Sequence, residues 1–136
     1  QSLDLIYENK KTKKNKIIEM YKMKTSSLFS FSCSAPFIMR GKNKKDIEFA
    51  KKYGNIFGLI FQIIDDYLDE VSNFAEIGKT PGKDKKQGKN TLIKYMNKKE
   101  VVPFCKKKAF LFIKNNKKYF SQWNILEDIL FSIIEI

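Results

Sequence analysis

The stretch from residue 44 to residue 71 limits the fold more than any other part of the sequence, because it is long, apolar and free of proline. The run GLIFQII at 58–64 is apolar almost all round. A helix that is hydrophobic on every side needs neighbours on several sides. The stretch therefore predicts a long helix inside a helical bundle, with one apolar stripe formed by Ala50, Tyr53, Phe57, Phe61, Ile64 and Leu68.

The 25 residues before this stretch also predict a helix. Apolar residues in 16–40 recur at steps of three and four or their sums, at Ile17, Met20, Tyr21, Leu28, Phe31, Ala35 and Ile38. Pro36 should kink this helix or end its first regular stretch. Gly41 then predicts a C-terminal stop, and Asn43 predicts an N-cap for the next helix. Residues 1–15 are polar and predict a loop or a frayed helix end.

The C-terminal part of the chain predicts a loop followed by shorter helices. Glycines and one proline break the periodicity over 72–90, a short helix is expected at 91–96, and longer ones at 102–123 and 125–134. Pro103 would lie in the first turn, where its missing N–H costs nothing. Only 6 Gly and 3 Pro occur in 136 residues, too few for a turn-rich β protein. The sequence predicts a single all-α domain over 1–136.

The net charge of +12 raises the question of nucleic-acid binding, since 27 Lys and Arg face 15 Asp and Glu. The single arginine is Arg40, whereas arginine usually makes the bidentate contacts to bases and phosphates. The lysines are spread along the chain, so we interpret most of them as a solvated surface and expect no nucleic-acid partner. A salt-dependent DNA shift that ignores Asp65→Ala would support the opposite interpretation.

The sequence contains no histidine, which excludes Ser-His triads, Cys-His pairs and His-ligated zinc. Cys33 and Cys105 lie far apart in apolar helical patterns and predict free, buried thiols in a cytoplasmic setting, with a plastid-like organelle left open. No apolar run reaches the roughly 18 uncharged residues of a membrane-spanning helix. We therefore expect no transmembrane segment.

Three carboxylates interrupt the most apolar helix, in the run FQIIDDYLD at 61–69. Asp65 and Asp69 are four residues apart and share one helix face, whereas Asp66 points about 100° away. Like charges at this spacing destabilise a helix, so a purely structural role is a poor explanation. Oxygen ligands without His or Cys favour Mg²⁺, which keeps several waters and bridges to phosphates.

A glycine- and lysine-rich segment, GKTPGKDKKQGKNT at 78–91, follows these carboxylates. Glycines let backbone amides approach an anion closely, and lysines neutralise it. The spacing of Gly82 and Gly88 is one residue too long for a Walker A loop, and Asn90 replaces its hydroxyl residue. A carboxylate-bound Mg²⁺ beside such a loop is typical of a diphosphate-binding site.

Taken together, these motifs resemble the C-terminal half of a trans-isoprenyl diphosphate synthase, the farnesyl and geranylgeranyl type of polyprenyl synthetase. The resemblance covers the second aspartate-rich motif at 65–69, the loop at 78–91, Lys24-Thr25-Ser26 in place of Lys-Thr-Gly, and the glutamine segment at Gln1. It implies an all-α helical bundle of the isoprenoid synthase type, of which this chain would form the C-terminal half only. It also implies a prenyl transferase that condenses an allylic diphosphate with isopentenyl diphosphate in isoprenoid biosynthesis.

The resemblance further implies a role for each matching residue. Asp65 would bind Mg²⁺ directly, Asp66 and Asp69 largely through water, and Asp84 more weakly from outside. The remaining residues would bind substrate or act in catalysis: Lys24, Lys79 and Lys89 on the allylic diphosphate, Thr25 and Gln62 facing the developing carbocation, and Phe61 lining the isopentenyl pocket. Mg²⁺ and the lysines would draw charge from the leaving diphosphate before isopentenyl diphosphate attacks.

The sequence departs from the family pattern in what precedes these motifs. Nothing in residues 1–60 supplies a first aspartate-rich motif, and the chain begins at Gln1 without a signal-peptide pattern, so we expect a truncated or split protein that lacks its N-terminal half. We expect the isolated fragment to be inactive and the whole enzyme to form a homodimer. The alternative is a non-catalytic regulatory or split subunit that pairs with a complete synthase.

Overall fold

The computed structural model describes Ile6 and residues 13–76 and 91–135, apart from the side chains of 72–76. Within this part of the chain every regular element is helical. The elements are α1 (Lys14–Tyr21), a π-helical segment (Lys22–Ser26), α2 (Ser27–Met39), α3 (Lys44–Glu76), a 3₁₀ segment (Leu92–Tyr95), α4 (Lys98–Asn115), α5 (Lys117–Gln122) and α6 (Ile125–Ser132). The predicted all-α class is confirmed. No helix in these ranges combines the length and the apolar character that a bilayer span requires.

Helix α3 is the central element, and its start follows the prediction. The backbone N–H of Asp46 donates to Asn43 Oδ1 at 3.0 Å, which makes Asn43 the predicted N-cap. Leu59, Ile60, Ile63 and Ile64 are all buried in the middle of the helix. The predicted end at residue 71 is wrong, because the helix continues to Glu76. Residues 72–76 contain neither glycine nor proline, so nothing in them stops a helix.

The predicted helix over 16–40 is divided by the π-helical segment and not by proline. Helix α2 runs through Pro36 to Met39, so Pro36 does not end it. Pro36 is exposed and close to the C-terminal end of α2, where the loss of one backbone hydrogen bond is tolerated. The helix ends as predicted at Gly41, which has φ 61°, with Lys42 N–H donating to the Phe37 carbonyl and Gly41 N–H to the Ile38 carbonyl.

The π-helical segment also changes which residues of α2 face the core. A π turn adds one residue to the helix, and each residue advances the helical phase by about 100°. Ile17, Met20 and Tyr21 are buried before it as predicted, but Leu28, Phe31 and Ile38 after it are exposed. In their place Ser34 is buried and Cys33 is half-buried. The single stripe predicted over 16–40 is therefore wrong beyond the π-helical segment.

Helix α2 crosses α3 at two glycines. A Cβ atom added at Gly54 would lie 2.6 Å from Ser30 Cα, and one added at Gly58 would lie 2.7 Å from Ser26 Cα. Cβ atoms essentially never approach backbone atoms so closely, so both positions require glycine at this separation of the helices. The two glycines are one turn apart and form a side-chain-free strip along which α2 and the π-helical segment approach α3.

The C-terminal helices pack against the first half of α3 through aromatic rings. Phe49 stacks on Tyr119 with ring centroids 4.0 Å apart, and it also meets Phe112 and Phe120. The single helix predicted over 102–123 ends within one residue of the observed end at Gln122, but its predicted start is four residues late and it is divided into two helices at Asn116. Helix α4 begins at Lys98 because the Asn97 side chain caps it, which places Pro103 beyond the first turn.

Three further boundaries lie in the C-terminal part of the chain. The break between α4 and α5 falls at Asn116, whose side-chain amide donates to the Phe112 carbonyl at 2.8 Å. Helix α6 ends at Ser132, two residues before the predicted boundary. The short helix predicted at 91–96 is the 3₁₀ segment, with Leu92 and Ile93 buried.

Both cysteines are free, and burial raises the pKa of the Cys105 thiol to about 12.

We expect Gly58→Ala to destabilise the protein, although alanine normally favours an exposed helix interior by up to about 1 kcal/mol over glycine. The new Cβ would force α2 away from α3, and overpacking of this kind costs about 1–3 kcal/mol. Urea unfolding followed by circular dichroism measures the change. Asn55→Ala, at an exposed position on the same helix, is the matched control and should be neutral or stabilising. An increase in stability for Gly58→Ala would contradict the close crossing.

We expect Ser26→Ala to stabilise the protein by about 1 kcal/mol, because Ser26 is fully buried and its Oγ has no hydrogen-bond partner among the residues that the structure describes. Ser34→Ala is the matched control: Ser34 is equally buried, but its Oγ donates to the Phe31 carbonyl at 3.2 Å. That variant should therefore be neutral or destabilising. Thermal unfolding of both variants tests the difference, and a loss of stability in Ser26→Ala would show that the hydroxyl is satisfied in solution.

Candidate active site

The candidate site continues the glycine strip toward the C-terminus of α3. Gly54, Gly58, Gln62 and Asp66 follow one another at steps of four and therefore lie along one stripe of the helix. The first two positions carry no side chain and bring the preceding segments close. The next two carry polar side chains that reach those segments. The packing of the helices thus sets the distances within the site.

Thr25, Gln62 and Asp66 form a continuous hydrogen-bonded chain. Thr25 Oγ1 donates to Gln62 Oε1 at 2.6 Å, and Gln62 Nε2 donates to Asp66 Oδ1 at 3.1 Å. Gln62 is buried, while Thr25 and Asp66 are half-buried. Thr25 belongs to the π-helical segment, and single π turns are frequent at functional sites. The structure therefore joins the two residues that the sequence assigned to the same role.

Tyr21, at the end of α1, connects Asp66 to the 3₁₀ segment. Its hydroxyl donates to Asp66 Oδ2 and accepts a hydrogen bond from the Leu92 backbone N–H at 2.8 Å. Tyr21 and Leu92 are both buried. The carboxylate of Asp66 thus receives one donor on each oxygen, and the Tyr21 hydroxyl links α3 to the 3₁₀ segment.

The environment of Asp66 changes its acidity. Burial raises the pKa of Asp66 above the usual value, since a charged carboxylate loses solvation there. The hydrogen bonds from Tyr21 and Gln62 lower the pKa in the opposite direction. The negative charge of Asp65 raises the pKa, and the positive charge of Lys24 lowers it. Lys24 therefore lies near enough to act on the carboxylate electrostatically, from an exposed position in the π-helical segment.

Asp65 and Asp69 lie on another side of α3 and are both exposed. Asp65 borders a shallow pocket together with Phe61, Leu68 and, from the end of α6, Ser132. Phe61 is 41% exposed, and its ring packs on Phe29 at a centroid distance of 5.5 Å. Among Ile6, 13–76 and 91–135, no three carboxylate or thiol side chains gather into a metal-binding group.

The donor chemistry nevertheless fits Mg²⁺. Asp65 and Asp69 offer exposed carboxylate oxygens one helical turn apart. Mg²⁺ keeps several waters and is often held by one or two carboxylates together with substrate phosphates, so it does not need a complete protein cage. Asp66 differs from the other two, since both of its oxygens already accept hydrogen bonds within the protein.

Three of the predicted site residues, Lys79, Asp84 and Lys89, lie outside the described residues. The sequence interpretation also missed two participants, Tyr21 and the Leu92 N–H. Tyr21 was assigned only to an apolar stripe, although it lies three residues before Lys24 and thus close to it on a helix. The step-four repeat from Gly54 to Asp66 was the signal for the shared stripe, whereas no local pattern indicates the distant Leu92 amide.

Comparison with known proteins identifies the family to which the sequence is similar. Residues 1–118 match the family described as polyprenyl synthetase. A short chain isoprenyl diphosphate synthase of Methanocaldococcus jannaschii is 32% identical over 117 residues, which cover 86% of this chain and 36% of that protein. Geranylgeranyl pyrophosphate synthase 4 of Arabidopsis thaliana is 38% identical over 84 residues, covering 62% of this chain and 23% of that protein.

A solved structure shares the fold. The crystal structure of a geranyltransferase from Helicobacter pylori superposes with a TM-score of 0.72 and 18% identity, over 98% of this chain and 43% of the other. The chain thus spans less than half the length of the relatives and the structure that it matches. The helical bundle of the isoprenoid synthase type is confirmed. Because the family match extends over most of the sequence, the chain belongs to the polyprenyl synthetase family.

Proposed function

We propose that this chain forms part of a prenyl transferase that condenses an allylic diphosphate with isopentenyl diphosphate. The observation that carries the proposal is the hydrogen-bonded set of Thr25, Gln62 and Asp66, whose carboxylate is acted on by the charges of the exposed Lys24 and Asp65. One part of this arrangement suits a developing cation and the other suits a metal-bound diphosphate. The family membership supports the same reaction class.

The charged groups would act on the leaving diphosphate. Asp65 and Asp69 would hold Mg²⁺, which when bound neutralises negative charge on the diphosphate and favours ionisation of the allylic bond. Lys24 would bind the diphosphate as a point charge. By the resemblance of the segment at 78–91 to the family loop, Lys79 and Lys89 would add further positive charge, and Asp84 a weaker metal contact.

The neutral polar groups would act on the hydrocarbon part. Thr25 and Gln62 would direct oxygen lone pairs toward the allylic cation, because the Thr25 proton is already used in the bond to Gln62 Oε1. Phe61 would contribute apolar surface to the isopentenyl pocket, and its 41% exposure leaves a ring face available. A pocket of this kind keeps water from the cation.

The remainder of the enzyme would come from outside this sequence. We propose that a missing N-terminal half supplies the first aspartate-rich motif, that the isolated chain is inactive and that the complete enzyme is a homodimer. The short coverage of its relatives also supports the alternative of a non-catalytic regulatory or split subunit. The cytoplasm remains the predicted compartment, with a plastid-like organelle as the second possibility.

The proposal predicts that the purified chain binds inorganic pyrophosphate only in the presence of Mg²⁺. Asp65→Ala and Asp69→Ala should each weaken this binding by about tenfold or more, measured by isothermal titration calorimetry. Glu48→Ala is the matched control, because Glu48 is an exposed acid on the same helix, paired with Lys51 at 3.6 Å. Equal affinity in all three variants would contradict the site.

A second arm separates the enzyme from the alternative. The chain alone should show no transfer of isotopically labelled isopentenyl diphosphate to an allylic diphosphate, and detectable transfer would refute the inactivity of the fragment. If adding a complete synthase changes that synthase's rate or product length, and Asp65→Ala does not alter the effect, the regulatory subunit is the better description.

A further inference from the structure

The hydrogen-bonded chain through the candidate site has a direction. A backbone N–H can only donate, so the Leu92 amide fixes the Tyr21 oxygen as its acceptor. Tyr21 then donates its proton to Asp66 Oδ2. Gln62 donates from the other side, through Nε2, to Asp66 Oδ1. Protons from both sides therefore point toward Asp66.

This direction determines what Thr25 can offer. With Nε2 of Gln62 committed to Asp66, the carbonyl Oε1 must face Thr25. Thr25 has one hydroxyl proton, and it is donated to Oε1 at 2.6 Å. Any further partner of Thr25 Oγ1 must therefore approach its lone pairs. Toward any such further partner, Thr25 Oγ1 can act only as an acceptor.

We propose that Tyr21 is a positioning residue that fixes the orientation of the Gln62 amide through Asp66, so that Thr25 presents an acceptor oxygen to the allylic cation. This inference rests on the proposed function for the identity of the cation. Tyr21 itself is buried and acts through Asp66. Its hydroxyl also anchors the 3₁₀ segment through Leu92, so one oxygen atom holds α3 and that segment at a fixed separation.

The chain offers two control tyrosines whose hydroxyls bond to groups outside the candidate site. Tyr53 is also buried, and its hydroxyl donates to the Leu126 carbonyl at 2.8 Å. Tyr119 donates to a carboxylate, Asp46 Oδ1, at 3.1 Å. Tyr53→Phe reproduces the loss of a buried hydroxyl, and Tyr119→Phe reproduces the loss of a tyrosine–aspartate bond.

The first measurement is hydrogen exchange by NMR on the purified chain, which needs no ligand. Tyr21→Phe should speed exchange of the Leu92 N–H and of the Gln62 side-chain NH₂ by about tenfold or more, beyond the change at core amides of α3. Tyr53→Phe and Tyr119→Phe should leave the ratio of these signals to the core amides unchanged. If Gln62 exchange in Tyr21→Phe follows the core amides, the positioning role is wrong.

The second measurement uses protonated dimethylallylamine as a cationic probe, with Mg²⁺ and inorganic pyrophosphate present. Tyr21→Phe should weaken binding of the amine by about tenfold, equivalent to about 1.4 kcal/mol, and change pyrophosphate affinity by less than about twofold. The proposal would be overturned if Tyr21→Phe weakened binding of the amine and of pyrophosphate equally, or if it did not weaken binding of the amine. If the unmodified chain binds neither probe, the proposed function fails, whereas hydrogen exchange still decides the role of Tyr21.

Discussion

The close contact between α2 and α3 at Gly54 and Gly58 is the constraint on which the site depends. Because neither position carries a Cβ, the backbone of Ser26 and Ser30 lies against the α3 backbone. The same close approach accompanies the hydrogen bond of 2.6 Å between the Thr25 and Gln62 side chains, one turn further along α3. The site is thus a consequence of packing, and a side chain at either glycine would act on the hydrogen bonds one or two turns away.

The polar groups at this contact are stable because nearly all of them are satisfied. Withdrawing a carboxylate from water is costly unless donors replace the water, and the half-buried Asp66 receives one donor on each oxygen. The donors are neutral groups and do not cancel the charge of an ionised carboxylate, whereas the positive charge of Lys24 lowers the pKa of Asp66. Ser26 is the exception, since its buried hydroxyl has no hydrogen-bond partner within the described part of the chain. It is also the position at which the sequence has serine where the resembled family has glycine.

The features of this fold that a local pattern encodes were predictable from the sequence. The apolar run of α3, the stop at Gly41 and the cap at Asn43 follow from side-chain chemistry within a few residues. The π-helical segment has no comparable signal in the sequence, and Ser26 at its end lies against Gly58 of α3, a contact between residues far apart in the chain. That one insertion made the predicted apolar stripe wrong at Leu28, Phe31 and Ile38.

In the site, the family resemblance predicted that Thr25 and Gln62 act together, and their side chains are joined by a hydrogen bond. The role of Tyr21 depends on a contact 71 residues away in sequence and lies beyond any local pattern.

The step of four along α3 explains why each position of the stripe meets a different part of the chain. Four residues advance an α-helix by about 400°, so each step turns the stripe by about 40°, and Gly54 to Asp66 turns it by about 120°. A straight neighbour cannot follow a stripe that winds this far around the helix. Gly54 accordingly contacts α2, and Gly58 contacts the junction between α2 and the π-helical segment. Gln62 contacts the π-helical segment, and Asp66 contacts the end of α1. As the stripe advances along α3, its contacts therefore run backward along the preceding segments, from Ser30 in α2 to Tyr21 at the end of α1.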